Sequence, residues 1–131
     1  MTEVSDSELK KVIADFLEMG HVENIVSMFK RNIEYYSWTG DLLQDERFNV
    51  RLGLTILFEE LQETVPQHTP LAISSLQKLL ADKSPLIRGE AIGILGIIGT
   101  EEANNLIHDM KSDKNPQVQE MIELSLSSEK Q

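Results

Sequence analysis

The sequence contains no cysteine. That excludes disulfide staples, thiolate metal centres and cysteine nucleophiles, and it suits a reducing compartment. Aromatic residues make up only 5% of the chain, so the core has to be built mainly from Leu, Ile and Val. Basic residues are scarce: 12 Lys and Arg stand against 22 Asp and Glu, for a net charge of −10. A non-specific nucleic-acid binder displaces phosphate counterions with a basic face, and this balance argues against one. An acidic surface serves solubility, and it also favours a basic partner. Long hydrophobic runs are missing too. The longest, Ala91–Ile98, is far too short to span a bilayer, so no membrane association is expected. The first residues, Met1 to Glu8, are acidic and polar, and no secretory signal is expected there. A cytoplasmic protein is the expectation.

What is present fits one globular domain. A chain of 131 residues with 40% hydrophobic and 26% charged residues is long enough to bury roughly two-thirds of its unfolded surface. Its most informative feature is a phrase written three times: Asp45-Glu46-Arg47-Phe48-Asn49-Val50-Arg51, Asp82-Lys83-Ser84-Pro85-Leu86-Ile87-Arg88 and Asp113-Lys114-Asn115-Pro116-Gln117-Val118-Gln119. Each copy sets an Asp six residues before an Arg or Gln, with a β-branched residue just ahead of that last position. The starts lie 37 and 31 residues apart. A helical period of this length predicts an α-solenoid, in which each repeat buries its apolar face on its neighbours.

The apolar spacing predicts about seven helices and no strand. The first opens on Ser5 with Glu8 as a capping box, carries Leu9, Val12, Ile13, Phe16 and Leu17, and stops at Gly20. The second runs from Val22 to about Ser37 with Ile25, Val26, Phe29 and Ile33 inward. Trp38–Asp41 reads as a loop, with Leu42 and Leu43 tucked against the body. The third spans about Phe48–Glu63, burying Val50, Leu54, Leu57, Phe58 and Leu61. Pro66 and Pro70 break the chain. Thr69-Pro70 then reads as a cap for a fourth helix to Ala81, with Leu71, Ile73 or Leu76, Leu79 and Leu80 inward. Ser84-Pro85 starts the fifth, which buries Ile87, Ala91, Ile94, Leu95 and Ile98 and ends at Gly99. Thr100 starts the sixth, with Ala103, Leu106, Ile107 and Met110 inward. Asn115-Pro116 starts the last, with Val118, Ile122 and Leu126 inward. Residues 127–131 form a polar tail expected to fray.

Asp82, Pro85, Ile87, Arg88, Ala91, Leu95 and Gly99 resemble the second-helix pattern of the HEAT-repeat family, specifically the short phycobilin-lyase-type HEAT-like repeats. The first copy lacks the Pro, and the third has Gln119 for the Arg. The resemblance covers Asp45 to Leu126; residues 1–44 fit it loosely, as divergent N-terminal helices or a cap. It implies an all-α superhelix of three to four antiparallel hairpins, with the second helix of each lining the concave side. It also implies an inter-repeat ladder through Asp45, Arg51, Asp82, Arg88, Asp113 and Gln119. Such repeats serve as scaffolds, regulatory subunits and lyase accessories.

No catalytic constellation is visible. His21, His68 and His108 fall in different elements without ligand spacing, and no His-Glu dipeptide of the HEAT-like iron hydroxylases occurs; no metal, cofactor or enzymatic activity is expected. Gly89, Gly93 and Gly96 line one face of the fifth helix, opposite its core face at about 100° per residue. Either another helix packs closely there, or the face is the floor of an open groove. The matching faces carry Leu52, Ile56 and Glu59 on the third helix and Glu120, Glu123, Leu124 and Ser127 on the seventh. Together with Gly89, Ile92, Gly93 and Gly96 these predict a groove for a partner helix or peptide with basic and apolar residues. Self-association, or coverage by the first two helices, is the competing expectation. The main reading is therefore a non-enzymatic adaptor or regulatory subunit. The alternatives are an accessory subunit of a phycobilin-type lyase and, against the charge balance, a nucleic-acid-binding HEAT-like protein of the alkylation-repair type. Tyr35, Tyr36 and Trp38 form the one aromatic cluster, read as closing the end of the core or as an exposed contact site.

Overall fold

The computed structural model describes residues 4–127, which fold into an all-α arrangement with no strand. Eight α-helices occur among them: α1 (Asp6–Glu18), α2 (Val22–Arg31), α3 (Thr39–Leu43), α4 (Phe48–Thr64), α5 (Ile73–Gln77), α6 (Pro85–Ile98), α7 (Glu101–Asp109) and α8 (Pro116–Leu126). Short 3-10 turns at Ile33–Trp38, Thr69–Ala72, Lys78–Ala81 and Met110–Ser112 link or extend them. The expected tail falls mostly on 128–131, outside the described residues.

The helix starts follow local chemistry. Ser5, Ser84, Thr100 and Asn115 are N-caps whose side chains accept from backbone N–H groups of the first turn, removing orphan donors there. Pro85 and Pro116 take the first helical position, where no N–H is needed. Gly20 and Gly99 follow α1 and α6 at φ +84° and +66°, a left-handed conformation that ends a helix at little cost only for glycine.

The region between α2 and α4 differs from the expectation of one long second helix and a loop. Asn32 leaves the helical region at φ −143° and ψ 107°, and its side chain accepts from the Glu34 N–H at 3.0 Å. The chain restarts there as a 3-10 turn. Ile33, expected inward, is therefore 52% exposed, and Tyr36 is fully buried in its stead. The Thr39 hydroxyl donates to the Tyr36 carbonyl at 2.7 Å, so Trp38–Asp41 continues into α3 rather than forming a loop. This raises the helix count from seven to eight.

The fourth expected helix is also broken, into α5 between two 3-10 turns. Thr69 does not cap it. Its hydroxyl donates back to the Gln62 Oε1 at 2.6 Å, which turns the segment and leaves Leu71 exposed while Ala72, Ile73, Leu76 and Leu79 are buried. On α1, Val12 faces solvent and Ala14 is buried beside Ile13 and Leu17.

The inward sets expected for α4, α6, α7 and α8 are buried or half-buried. Helices α1 and α2 pack on α4, α4 on α6, and α6 on both α7 and α8. α6 is thus the central helix, which is why it is apolar nearly all round. Tyr36 sits among Phe29, Phe58 and His68, with ring centroids 5.0, 6.2 and 6.4 Å away. Burial pushes its hydroxyl pKa up.

Two glycines predict different outcomes. A Cβ on Gly40 would stand 2.5 Å from the Ser75 carbonyl oxygen, where α3 meets α5. Gly40→Ala should destabilise by roughly 1–3 kcal/mol. A Cβ on Gly89 would meet only the Met121 side chain, with Cγ at 3.4 Å and Cβ at 4.0 Å, so Gly89→Ala should be neutral or stabilise by up to ~1 kcal/mol through helix propensity. Thermal unfolding of the two variants reads the difference as a clear fall in Tm for Gly40→Ala and no fall for Gly89→Ala.

Candidate functional site

The three repeated phrases fold into the same turn. In each, the Asp lies two residues before the N-cap of α4, α6 or α8. Its Oδ1 accepts from the N-cap N–H: Arg47 to Asp45 at 2.9 Å, Ser84 to Asp82 at 2.8 Å, Asn115 to Asp113 at 3.0 Å. The last residue of the phrase reaches back from the first helical turn to the carbonyl of that Asp. Arg51 Nη1 donates to the Asp45 carbonyl at 2.9 Å, Arg88 Nη1 to the Asp82 carbonyl at 2.8 Å, and Gln119 Nε2 to the Asp113 carbonyl. Asx turns of this kind hold the chain in the conformation a helix start requires, and the negative charge suits the helix N-terminus.

The ion pairs between these units differ in part from a ladder through the six phrase positions. Arg88 reaches forward to Asp113, with Nε 2.7 Å from Oδ2 and both side chains largely buried. Arg51 does not pair with Asp82. Its Nε lies 2.9 and 3.1 Å from the two oxygens of Glu90 on α6, and the Asp82 carboxylate accepts from the Ser84 N–H instead. Gln119, at the last copy, carries no charge to pair. Arg47 binds Asp45 and reaches Asp15 and Glu18 on α1, tying the N-terminal helices to the first turn. Glu90 left no trace in the sequence pattern, because the register of α4 against α6 is not encoded in the phrase. Arg47 was not among the residues expected to join the repeats.

Hydrogen bonds from Arg47 hold the Asp45 carboxyl below the ordinary aspartate range, and Arg88 does the same for Asp113.

The glycine face of α6 meets α8. Cβ atoms on Gly93 and Gly96 would stand 2.9 Å from Met121 Cε and 2.7 Å from Ser125 Cβ, both on α8. The absence of side chains lets α8 pack closely on α6, yet Gly93 and Gly96 stay half-buried and line one crevice beside Met121, and Gly89 lines another. The covering helix is α8 and not α1 or α2. A bulky side chain at Gly93 would strike α8 before it met any ligand. Ile92 is fully buried, because α6 has neighbours on most sides, and it cannot line a surface.

The outer faces of α4, α6 and α8 nevertheless carry exposed apolar side chains: Phe48, Leu52 and Ile56 on α4, Leu86 on α6 and Leu124 on α8. Leu52 and Ile56, with Gly53, form one wall of a crevice of about 430 Å³ against the α1–α2 turn, where Gly20, His21 and Val22 lie. Two further crevices of about 340 and 360 Å³ flank Met121 between α6 and α8, and Thr55 of α4 borders the first of them. Glu59, Glu120 and Glu123 are exposed beside this surface. Phe48 and Leu86 were not among the expected contact residues. They sit in the first helical turn, where apolar spacing does not yet define a face.

Among the described residues no group of three or more His, Asp or Glu side chains could hold a metal, and no helix is long and apolar enough to cross a membrane. In the aromatic cluster, Tyr36 is core, whereas Tyr35 and Trp38 are half-buried with centroids 5.0 Å apart, and Lys10 Nζ lies 5.4 Å from the Trp38 ring centre. No family model, curated protein or solved structure matches the chain.

The Arg88–Asp113 link predicts a pH signature. A carboxyl held low when folded stabilises the protein fully above its unfolded value of about 4 and loses that contribution as pH falls through the folded value. Asp113→Asn should therefore destabilise near neutrality and flatten the acid limb of stability against pH. Arg88→Ala, which also frees the Asp82 carbonyl, should cost about 2–3 kcal/mol at pH 7. Urea unfolding from pH 7 to pH 2 measures both. An acid limb as steep in Asp113→Asn as in the wild type would contradict the assignment.

Proposed function

We propose that the protein is a non-enzymatic interaction module, a short α-solenoid of HEAT-like hairpins that binds another protein across the outer faces of α4, α6 and α8. The thrice-used turn supports the repeat reading, since the same hydrogen bonds open the alternate helices α4, α6 and α8. One observation carries the binding reading. Half of the exposed large hydrophobic residues among those described, five of ten, lie on just these three helices, bordered by open crevices of about 340–430 Å³. Clustered exposed apolar residues rimmed by polar ones mark interaction surfaces, whereas scattered single ones need no explanation. Lack of cysteine and the acidic balance accord with a cytoplasmic adaptor or regulatory subunit.

The surface differs from a glycine-floored groove in one practical way: its contact residues are the apolar side chains themselves. Leu52 and Ile56 are exposed, one turn apart on α4, and neither belongs to the fully buried core. Leu52→Asp/Ile56→Asp should abolish capture of the partner from a cell lysate while the circular dichroism stays at the wild-type value. Leu71→Asp, at an exposed apolar residue on the 3-10 turn before α5, should leave capture intact. Equal retention by all three proteins would refute the assignment of this face.

A further inference from the structure

The crevices share a property that the apolar stripe alone does not reveal. No lysine or arginine lines any of the three, while Glu18, Glu23 and Glu60 line the first and Glu90 and Glu120 line the others. Glu18 and Glu90 are already engaged by Arg47 and Arg51. Glu23, Glu60 and Glu120 have no ion pair among the described residues. The chain's cations lie elsewhere. Lys78, Lys83, Lys111 and Lys114 are exposed along the connections that lead into α6 and α8, and Arg47, Arg51 and Arg88 are held in ion pairs. The three crevices are thus lined by carboxylates and by no cation, while at the start of α4 Arg51 lies 6.0 Å from the ring centre of the exposed Phe48.

We infer that the occupant of this face is a cationic amphipathic helix of another protein, which sets apolar side chains on Leu52, Ile56 and Leu124 and its lysines and arginines against Glu23, Glu60 and Glu120. The inference rests on the docking reading above and adds the partner's chemistry to it. A helix suits the surface because Leu52 and Ile56 present apolar contacts one turn apart, the spacing at which a facing helix repeats its own. Opposite charge steers such a partner and fixes its orientation. A second copy of this chain is the wrong occupant: two such faces would oppose carboxylate to carboxylate, on molecules that each carry a net charge of −10.

The test uses two synthetic peptides of about 18 residues, ~27 Å long as helices. Both carry leucine on one face; the other face is lysine in one and glutamate in the other. Fluorescence anisotropy measures their binding to the full chain at about 0.05 M and about 0.5 M salt, where screening lengths differ roughly threefold. The lysine peptide should bind and lose about tenfold in affinity or more at the higher salt, because exposed charge pairs are screened. The triple variant Glu23→Gln/Glu60→Gln/Glu120→Gln should weaken it by about tenfold at low salt. Glu101→Gln/Glu102→Gln, on α7, should leave it unchanged, and the glutamate peptide should not bind. If the lysine peptide fails to bind, or if the triple variant matches the α7 variant, the cationic occupant is overturned. If Leu52→Asp/Ile56→Asp abolishes binding while the triple variant does not, the charge inference falls and the docking face stands. If the Leu52→Asp/Ile56→Asp protein binds the lysine peptide as the wild type does, both fall. A dimer of the chain that the peptide displaces would make a second copy the occupant, and that too overturns the inference.

Discussion

An aspartate carboxylate that accepts the N–H of a helix N-cap, together with a side chain one helical turn further on that donates to the same aspartate's carbonyl, is the interaction on which the rest depends. It occurs at the starts of α4, α6 and α8. A helix start leaves backbone donors unpaired, and the preceding turn leaves carbonyls that need a partner once half-buried. The phrase answers both needs within seven residues. It thereby fixes the angle at which each of these helices enters the core, and with it the face each turns outward.

From that constraint the packing follows. With its entry fixed, α6 can be apolar on nearly every side, because α4, α7 and α8 surround it. The close approach of α8 is set by Gly93 and Gly96, whose missing side chains admit Met121 and Ser125. The forward ion pairs, Arg51 to Glu90 and Arg88 to Asp113, join one unit to the next, and Arg47 extends the same linkage back to α1. Breaking one partner of such a half-buried pair leaves the other desolvated and unpaired, so the units are coupled by more than apolar contact. What remains outside is a stripe of Phe48, Leu52, Ile56, Leu86 and Leu124 with carboxylates beside it.

Much of this was legible in the sequence wherever local chemistry decides. The caps at Ser5, Ser84, Thr100 and Asn115, the stops at Gly20 and Gly99, and the inward faces of α4 and α8 all rest on residue type at helical spacing. The sequence was silent where a tertiary contact decides. Asn32 breaks the second helix because its side chain can reach the Glu34 N–H, and the buried place then passes from Ile33 to Tyr36. Thr69 looked like a cap, yet its hydroxyl is drawn to Gln62 one element back. The glycines of α6 admitted two readings, close packing or open floor, and the position of α8 shows close packing at Gly93 and Gly96 beside crevices that the glycines still line. Glu90 became the partner of Arg51 through an inter-helix register that no spacing rule encodes.

Native-state hydrogen exchange by NMR tests the central claim most directly, because the amide protons of Arg47, Ser84 and Asn115 are the donors in the three turns. If the turns are equivalent and formed in solution, all three amides exchange far more slowly than those of Glu46, Lys83 and Lys114 beside them. Exchange of the N-cap amides at the rate of these neighbours would mean that the carboxylates do not hold the helix starts, and the repeat account would be contradicted at its base.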